Sequence, residues 1–434
     1  MGRPQLEGAL PTIKQRVRKV ALLEQLGPGL VTGAADDDPS GIATYSQAGA
    51  QLGFGLLWTL LLTYPLMTAI QLASARIGRV TGAGLAKNLS AVLPGWAVTT
   101  LVALLFMANT INIGADLASM GEAAHLAAGF DRHVFTLLFA LVSLGLQLFI
   151  SYGAYAKVLK WLTLTLLAYV AVLFAVRIDW GAAARGLIPG PASFTKDAVV
   201  TIVAVFGTTI SPYLFFWQSA QEVEEIEEDP KAEPLKEAPR QGRRELARIR
   251  IDTFSGMAIS NLIAMAIMIS TAATLHASGH TQIDTAAAAA EALRPVAGPF
   301  AFVLFSLGIV GTGLLAVPVL AGSAAYAIGE SQGWECGLEY KPWEAVGFYT
   351  VIGIATLLGL LIDWSPIDPM RALFWSAVVN GIVAVPIMVA MMLVASRRSQ
   401  MGRFTAGLGL RVFGWAATVV MGASVVAMLV TLAF

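Results

Sequence analysis

Residues 25–44 read QLGPGLVTGAADDDPSGIAT, an apolar stretch that is interrupted by three consecutive aspartates and a proline. Pro39 has no backbone N–H to donate, and glycines on both sides of it loosen the backbone further. We therefore predict one membrane helix over residues 25–52 that is broken at residues 36–41. Unwound backbone at membrane depth is tolerated only where it lines a cavity or is buried in protein, so the break marks an interior site.

The composition around this stretch is that of a membrane protein. Of the 434 residues, 56% are hydrophobic and only 13% are charged, with a mean hydropathy of +0.70, whereas a soluble domain carries about 25% charged residues. The 28 basic and 28 acidic residues cancel, which excludes a nucleic-acid binder as well as a soluble enzyme or a disordered chain. The single cysteine, Cys336, excludes a disulfide framework or a multi-thiolate metal site. We expect no cofactor.

Apolar runs of about 20 residues predict the other membrane helices. One of them, residues 198–221, is also interrupted, by Ser211 and Pro212. Together with the first segment it brings the prediction to eleven transmembrane helices. The remaining nine runs are residues 54–75, 96–121, 134–151, 161–176, 254–275, 299–328, 345–362, 372–396 and 412–434.

Lysine and arginine residues predict the orientation in the membrane. With residues 1–24 placed in the cytoplasm, 22 of the 28 basic residues fall in cytoplasmic segments and six fall outside. We therefore expect a multi-pass cell-membrane protein with a cytoplasmic N-terminus and an extracytoplasmic C-terminus. The charged, proline-containing residues 222–250 are predicted to form a solvated cytoplasmic loop.

Only four charged side chains lie inside the predicted spans, and all four are acidic: Asp36, Asp37, Asp38 and Asp116. No lysine, arginine or histidine lies in a span to neutralise them. Because charged groups in a bilayer mark functional sites by default, a cation is the simplest ligand. Carboxylates and bare carbonyls are the groups that hard cations prefer. A plain kink whose aspartates face water and cap the next helix remains the alternative.

The two interrupted helices are the first members of two five-helix halves. Discontinuous segments at matching positions of two halves point to the substrate site of an inverted-repeat transporter. We predict the first repeat over residues 25–177, the second over residues 196–396, and helix 11 over residues 408–434. An asparagine on helix 10, Asn380, could add an amide oxygen to such a site or join helices.

Gly27-Pro28-Gly29, followed by Asp38-Pro39 and Ala43-Thr44, resembles helix 1 of the Nramp divalent-metal transporters, with their Asp-Pro-Gly-Asn signature. Residues 207–220 resemble the Met-Pro-His segment of that family's helix 6. The resemblance implies an all-α integral membrane protein with the LeuT-like fold, a 5+5 inverted repeat and discontinuous helices 1 and 6. It also implies transport of divalent metals by alternating access, usually with protons.

Several positions depart from the family pattern. Gly41 stands at the family's asparagine, Ser211 at its methionine and Tyr213 at its histidine. Asp116 matches an acid on the family's proton route, whereas Ser119 takes the place of a second acid, and helix 9 has no arginine. The candidate metal ligands are therefore Asp38, Gly41, Thr208, Ser211, Asp37 and Asn380, and the candidates for gating or a proton path are Asp116, Tyr213 and Asp36.

Loss of the thioether favours hard ions such as Mg²⁺ and Mn²⁺ over soft metals. The predicted function is import of such cations with weak or no proton coupling, as in Nramp-related magnesium transporters. The alternatives are a proton-coupled Mn²⁺/Fe²⁺ symporter and an amino-acid or organic-solute transporter of the same fold; an intramembrane aspartyl protease and a metal sensor are less favoured. The expected partners are the cation and the lipid bilayer, with no nucleic acid and no obligate protein partner.

Overall fold

A computed structural model describes residues 28–150 and 164–433. Within these ranges the regular structure is entirely helical, and nine stretches are long and apolar enough to cross a membrane. The all-α membrane architecture is therefore confirmed. The count of eleven helices stays a prediction, because Pro39–Thr81 counts as one 43-residue stretch and predicted helix 5, whose first residues lie outside the described part, is described from Leu164 to Ala175. Residues 1–27, and with them the predicted cytoplasmic N-terminus, lie outside the described part.

The helices are numbered in chain order through the described residues. The first eight are α1 (Pro28–Asp36), α2 (Pro39–Leu52), α3 (Leu57–Thr81), α4 (Leu85–Ser90), α5 (Gly95–Ala128), α6 (Arg132–Phe149), α7 (Leu167–Ala175) and α8 (Trp180–Arg185). The others are α9 (Lys196–Thr209), α10 (Pro212–Glu228), α11 (Gly242–Thr274), α12 (Ala286–Ala290), α13 (Arg294–Ala297), α14 (Ala301–Gln332), α15 (Val346–Leu360), α16 (Pro369–Ser396), α17 (Arg398–Met401) and α18 (Leu408–Ala433). Short 3₁₀ turns lie at Gly53–Leu56, Leu164–Leu166, Pro191–Phe194, His276–Ser278, Glu291–Leu293, Gly298–Phe300, Leu361–Trp364 and Gly402–Phe404.

Both predicted interruptions are present. The α1 helix ends at Asp36 and α2 begins at Pro39, while α9 ends at Thr209 and α10 begins at Pro212. In each case proline occupies the first helical position, where its missing N–H costs nothing. The discontinuity of predicted helices 1 and 6 is thus confirmed, at the positions where the local chemistry predicts it.

The interrupted helices lie at the centre of the bundle. In the most apolar part of the α9–α10 span 89% of the residues are buried, compared with 22% in α6 and 28% in α18. The α2 helix packs against α5, α9, α11 and α16, and α10 packs against α3 and α14. The two breaks are therefore enclosed by other helices, as unwound backbone in a membrane requires.

Two glycines bring α1 directly against the backbone of α11. A Cβ atom built on Gly33 would lie 2.5 Å from the Gly256 carbonyl oxygen, and one on Gly29 would lie 2.8 Å from the Thr253 backbone nitrogen. Asp252 accepts a hydrogen bond from the Gly29 N–H at 2.6 Å, which satisfies one of the free donors in the first turn of α1. At these two glycines half-helix α1 therefore approaches the α11 backbone directly, and the Asp252 side chain adds a hydrogen bond to this contact.

The charged segment predicted as a loop over residues 222–250 is largely helical. The α10 helix continues to Glu228 and α11 already begins at Gly242, so residues 229–241 alone form the connection, and we call this end of the bundle the loop end. Charges in this segment are buried against one another: the Glu222 side chain is 0% exposed and lies 2.6 Å from Arg248. Residues 229–241 themselves are mostly exposed, whereas ion pairing buries parts of the helix ends on either side of them.

Candidate metal site

The two helix breaks face each other in the interior. The Ser40 and Thr208 hydroxyl oxygens lie 3.4 Å apart, and those of Tyr45 and Thr209 lie 3.2 Å apart. From the first turn of α10, Tyr213 donates a hydrogen bond to the Ala35 carbonyl at 3.1 Å. These polar contacts join the start of α2 to the end of α9, and the end of α1 to the start of α10.

Asp38 lies between the breaks and is 1% exposed. Its Oδ1 accepts hydrogen bonds from the Ser40 hydroxyl and the Gly41 N–H, both at 2.7 Å, which makes Asp38 the N-cap of α2. Its Oδ2 accepts from the Asn112 amide at 3.1 Å and lies 3.4 Å from the Tyr213 hydroxyl, whose one hydrogen it shares with the Ala35 carbonyl. Every donor around this carboxylate is neutral, so its negative charge is solvated but not cancelled.

Asn112 and its partner Ser376 are functional candidates that the sequence reasoning missed. Asn112 is fully buried on α5, and its Oδ1 accepts a hydrogen bond from Ser376 of α16 at 2.6 Å. A usable signal was present in the sequence, since Asn112 and Asp116 lie four residues apart and therefore on one face of an apolar helix. Asn109 and Ser119 extend the same polar stripe.

Asp36 and Asp37 form a second acidic pair on the α11 side of the break. Both are buried, and Ser260 of α11 lies 2.6 Å from an Asp36 oxygen and 3.1 Å from an Asp37 oxygen. A serine hydroxyl carries one hydrogen and can donate it to only one of the two carboxylates at a time. The second Asp36 oxygen has no hydrogen-bond partner.

Asp116 is the fourth buried acid, one turn beyond Asn112 on α5. It is 0% exposed, and neither carboxylate oxygen has a hydrogen-bond partner. Among the described residues, no salt bridge reaches Asp116 or any of the three aspartates at the break. The four acids predicted from sequence thus lie inside the protein without a basic partner there.

The other predicted ligands occupy the same region in different ways. The Ser211 hydroxyl lies 2.8 Å from both the Gly207 and Thr208 carbonyls, where it satisfies backbone freed by Pro212. Gly41 offers its N–H to Asp38, as described above. Asn380 on α16 is fully buried, and neither its oxygen nor its nitrogen has a hydrogen-bond partner. The ligand roles assigned to these residues stay predictions.

The donor set is suited to a cation that takes few charged ligands. No three His, Cys, Asp or Glu side chains within the described ranges converge as a metal cage. A cation at Asp38 would therefore complete its shell with neutral oxygens from amides, hydroxyls, carbonyls or water, which suits Mg²⁺, Mn²⁺ and Ca²⁺.

A cavity of about 380 Å³ leads toward this region from the end of the bundle opposite the loop end. It is bordered by the first residues of α9 and α16, including Lys196 and Arg371. Gln47 and Ala43 of α2 line it, and Ala43 lies five residues beyond Asp38. The cavity therefore reaches α2 close to Asp38, and the ion pairs of Glu222 and Arg248 lie at the other end of the bundle.

The family model described as natural resistance-associated macrophage protein-like (Nramp) matches residues 29–431. A divalent metal cation transporter MntH of Deinococcus radiodurans is 26% identical over 423 residues, which cover 92% of this chain and 88% of that protein. MntH of Aeromonas hydrophila is 29% identical over 322 residues, covering 72% and 73% respectively.

Solved structures share the fold at low sequence identity. The manganese transporter of Eremococcus coleocola, in complex with an aromatic bis-isothiourea compound, aligns with a TM-score of 0.72 at 16% identity, covering 99% of this chain and 89% of that one. MhsT in complex with L-phenylalanine aligns with a TM-score of 0.65 at 12% identity, covering 99% of this chain and 100% of that one. These likenesses bear out the predicted LeuT-like fold.

Proposed function

The chain belongs to the Nramp family, and on that premise we propose that it is a secondary transporter that carries divalent metal cations by alternating access. The observation that carries this proposal is Asp38, a buried carboxylate between two helix breaks whose hydrogen-bond donors are all neutral. Such a charge is costly to bury without a counter-charge. A divalent cation supplies that counter-charge, and rocking of the half-helices would expose it to each side in turn.

We favour Mg²⁺ and Mn²⁺ as the cargo. The polar atoms around Asp38 come from hydroxyl, amide and backbone groups, and a serine, Ser211, stands at the position of the family's methionine. Oxygen ligands are hard and select such ions over soft metals. Relatives named as divalent metal cation or manganese transporters agree with the class of cargo.

The membrane potential is sufficient to drive import. Moving two charges inward gains roughly 4.6 kcal/mol at 100 mV, at about 2.3 kcal/mol per charge. In this arrangement the loop end faces the cytoplasm and the cavity beside Ala43 faces outward, in keeping with the distribution of basic residues. The first helices of the proposed repeats over residues 25–177 and 196–396 would be the parts that rock against the rest of the bundle.

A proton-coupled symporter is the second candidate, and Asp116 is the observation that favours it. This carboxylate is buried and has no hydrogen-bond partner, as expected of a group that exchanges a proton during the cycle. Against it, Ser119 replaces the family's second acid on the same helix. An organic-solute transporter is less favoured, because three aspartates at the break would repel a substrate carboxylate.

The test is flux into liposomes that hold a metal-sensitive dye and, separately, a pH-sensitive dye. Mg²⁺ and Mn²⁺ should enter under an inside-negative potential, Cd²⁺ should enter more slowly, and the lumen should acidify little. An Asp38→Ala variant should abolish uptake. Full activity of that variant would refute the site, and metal-dependent acidification would replace the uncoupled mechanism with the symporter.

A further inference from the structure

Asn112 is held between the candidate metal ligand and a different helix. Its Nδ2 donates to Asp38 Oδ2 at 3.1 Å, and its Oδ1 accepts from the Ser376 hydroxyl at 2.6 Å. The side chain is 0% exposed, so both partners are fixed by protein rather than shared with solvent. Asn112 thus links α5 and α16 to the carboxylate between the breaks.

A cation approaching Asp38 meets two unequal oxygens. Oδ1 is committed to the N-cap, with two hydrogen bonds of 2.7 Å from residues of its own turn. Oδ2 has the longer contacts, from Asn112 at 3.1 Å and Tyr213 at 3.4 Å, and both come from other helices. Oδ2 is therefore the oxygen that a cation can reach with least disruption, and the Asn112 N–H points at the same place.

An N–H aimed at a bound cation is repulsive, but an amide can reverse its polarity in place. Rotation of the terminal amide by about 180° exchanges an oxygen and a nitrogen that have nearly the same shape. After rotation Oδ1 faces the cation and Nδ2 faces Ser376. The amide oxygen is a hard ligand of the kind that Mg²⁺ and Mn²⁺ accept.

Ser376 is placed to accept both orientations. Its hydroxyl lies 2.6 Å from Asn112 Oδ1 and 2.7 Å from the Leu373 carbonyl, and it has one hydrogen to donate and two lone pairs. It donates to Asn112 in the orientation seen here. In the rotated orientation it donates to Leu373 and accepts from Asn112 Nδ2, so no buried polar group loses its partner.

We propose that Asn112 is a cation ligand that turns its amide oxygen from Ser376 to the cargo when the cargo binds at Asp38. This inference rests on the proposed function, since it requires a cation at Asp38. The rotation of the amide couples cargo binding to α5 and α16 through the Asn112 side chain. It also makes Asn112 a determinant of selectivity, because its contribution is an oxygen.

The experiment measures Mn²⁺ and Cd²⁺ affinity of the purified full-length protein by titration calorimetry. Asn112→Leu, which removes the oxygen at similar volume, should weaken Mn²⁺ binding on the order of tenfold or more and Cd²⁺ binding less. Asn112→Asp keeps an oxygen but loses the N–H, so its Mn²⁺ affinity should equal or exceed that of the wild type. If the leucine variant does not fold, Asn112→Ala takes its place.

Asn109 provides the matched control on the same helix. It is also fully buried, but its amide donates to the Leu320 carbonyl and the Ser323 hydroxyl of α14, both at 2.8 Å. Asn109→Leu should lower thermal stability and leave both metal affinities within about twofold, a change below 0.5 kcal/mol. A variant at Asn109 that matches the loss at Asn112 would overturn the ligand role.

Two further outcomes would overturn it. If Asn112→Asp loses as much affinity as Asn112→Leu, the N–H and not an oxygen is what matters at this position. If Asn112→Leu binds Mn²⁺ like the wild type while Asp38→Ala does not bind, this inference fails and the proposed function stands. Failure of the wild type itself to bind Mn²⁺ and Mg²⁺ would instead refute the proposed function.

Discussion

Two groups of acidic side chains in this molecule differ in their partners: one group is paired with arginines, and the other has neutral hydrogen-bond donors or none. At the loop end, three glutamates of the paired cluster contact two arginines, with Arg248 bonded to Glu222 at 2.6 Å and Arg79 to Glu245 at 3.1 Å. At the helix breaks, the four aspartates of the unpaired cluster have neutral donors or none. The paired cluster comprises Glu222, Glu225, Glu245, Arg79 and Arg248, and the unpaired cluster comprises Asp36, Asp37, Asp38 and Asp116.

The difference shows what each group is built to do. A buried acid matched by arginine needs nothing further, and its removal leaves the partner charge stranded. A buried acid with neutral donors still lacks a positive charge. The paired cluster joins α3, α10 and α11 through ion pairs, whereas under the proposed function the cargo cation supplies the charge that the unpaired cluster lacks.

Neutralising one acid in each cluster should give the largest contrast. Asp38→Asn removes the charge that the cation needs, so Mn²⁺ uptake into liposomes should fall by at least about 100-fold, equivalent to about 2.7 kcal/mol. Glu222→Gln keeps the shape of a side chain whose partner is Arg248 at the loop end, so Mn²⁺ binding should be retained. Equal loss of Mn²⁺ binding in the two variants would contradict the assignment of cation binding to the unpaired cluster alone.

Removing the base from the paired cluster should destabilise the fold. Arg248→Met strands the fully buried Glu222, and breaking a buried pair in this way costs about 3–5 kcal/mol. Thermal unfolding followed by tryptophan fluorescence should show the loss. Adding Glu222→Gln to this variant should recover part of the lost stability, because no unpaired charge then remains at this position. An unchanged melting temperature in Arg248→Met would mean that the ion pair does not stabilise the fold.

Cation binding should stabilise the protein through the unpaired cluster alone. At a Mn²⁺ concentration 100 times the dissociation constant, a ligand specific to the folded state adds about 2.7 kcal/mol. The melting temperature should rise with added Mn²⁺ in the wild type and in Glu222→Gln. It should not rise in Asp38→Ala, and a rise there would place the stabilising cation elsewhere.

The smallest expected effect concerns the kind of cation. Ser211→Met restores a soft sulfur beside the break, so the preference for Cd²⁺ over Mg²⁺ in binding titrations should increase by about tenfold, or about 1.4 kcal/mol. Ser211→Leu is the matched control, since it removes the hydroxyl without adding sulfur. A similar gain in both variants would assign the change to the lost hydroxyl.

The helix breaks could be predicted because their causes are local. Pro39 and Pro212 cannot continue a hydrogen-bonded helix, and the acids or hydroxyls beside them satisfy the freed backbone. The absence of basic residues in the spans was equally visible, and it singled out Asp38 and Asp116 before any contact was known. The fold class followed from these signals and from hydropathy.

Contacts between distant helices could not be predicted in the same way. Asn112 and Ser376 are separated by 264 residues, and the sequence around neither residue indicates that the two are in contact. Residues 222–250 were predicted as one solvated connection because composition counts charges and not their partners; residues 229–241 are largely exposed, but Glu222 is fully buried beside Arg248. A single sequence reveals which polar side chains lie in apolar segments, whereas tertiary packing decides which residues they contact.

The glycine contact between α1 and α11 bears on how fast the molecule can work. At Gly29 and Gly33 the two backbones touch without interlocking side chains. Interlocked side chains must change rotamers before two helices can separate, and side chains in packed interiors resist that change. A contact between two backbones needs no rotamer change, so α1 can separate from α11 and return to the same position with little rearrangement. Separation of α1 from α11 would then require breaking the Gly29–Asp252 and Asp36–Ser260 hydrogen bonds more than unpacking side chains.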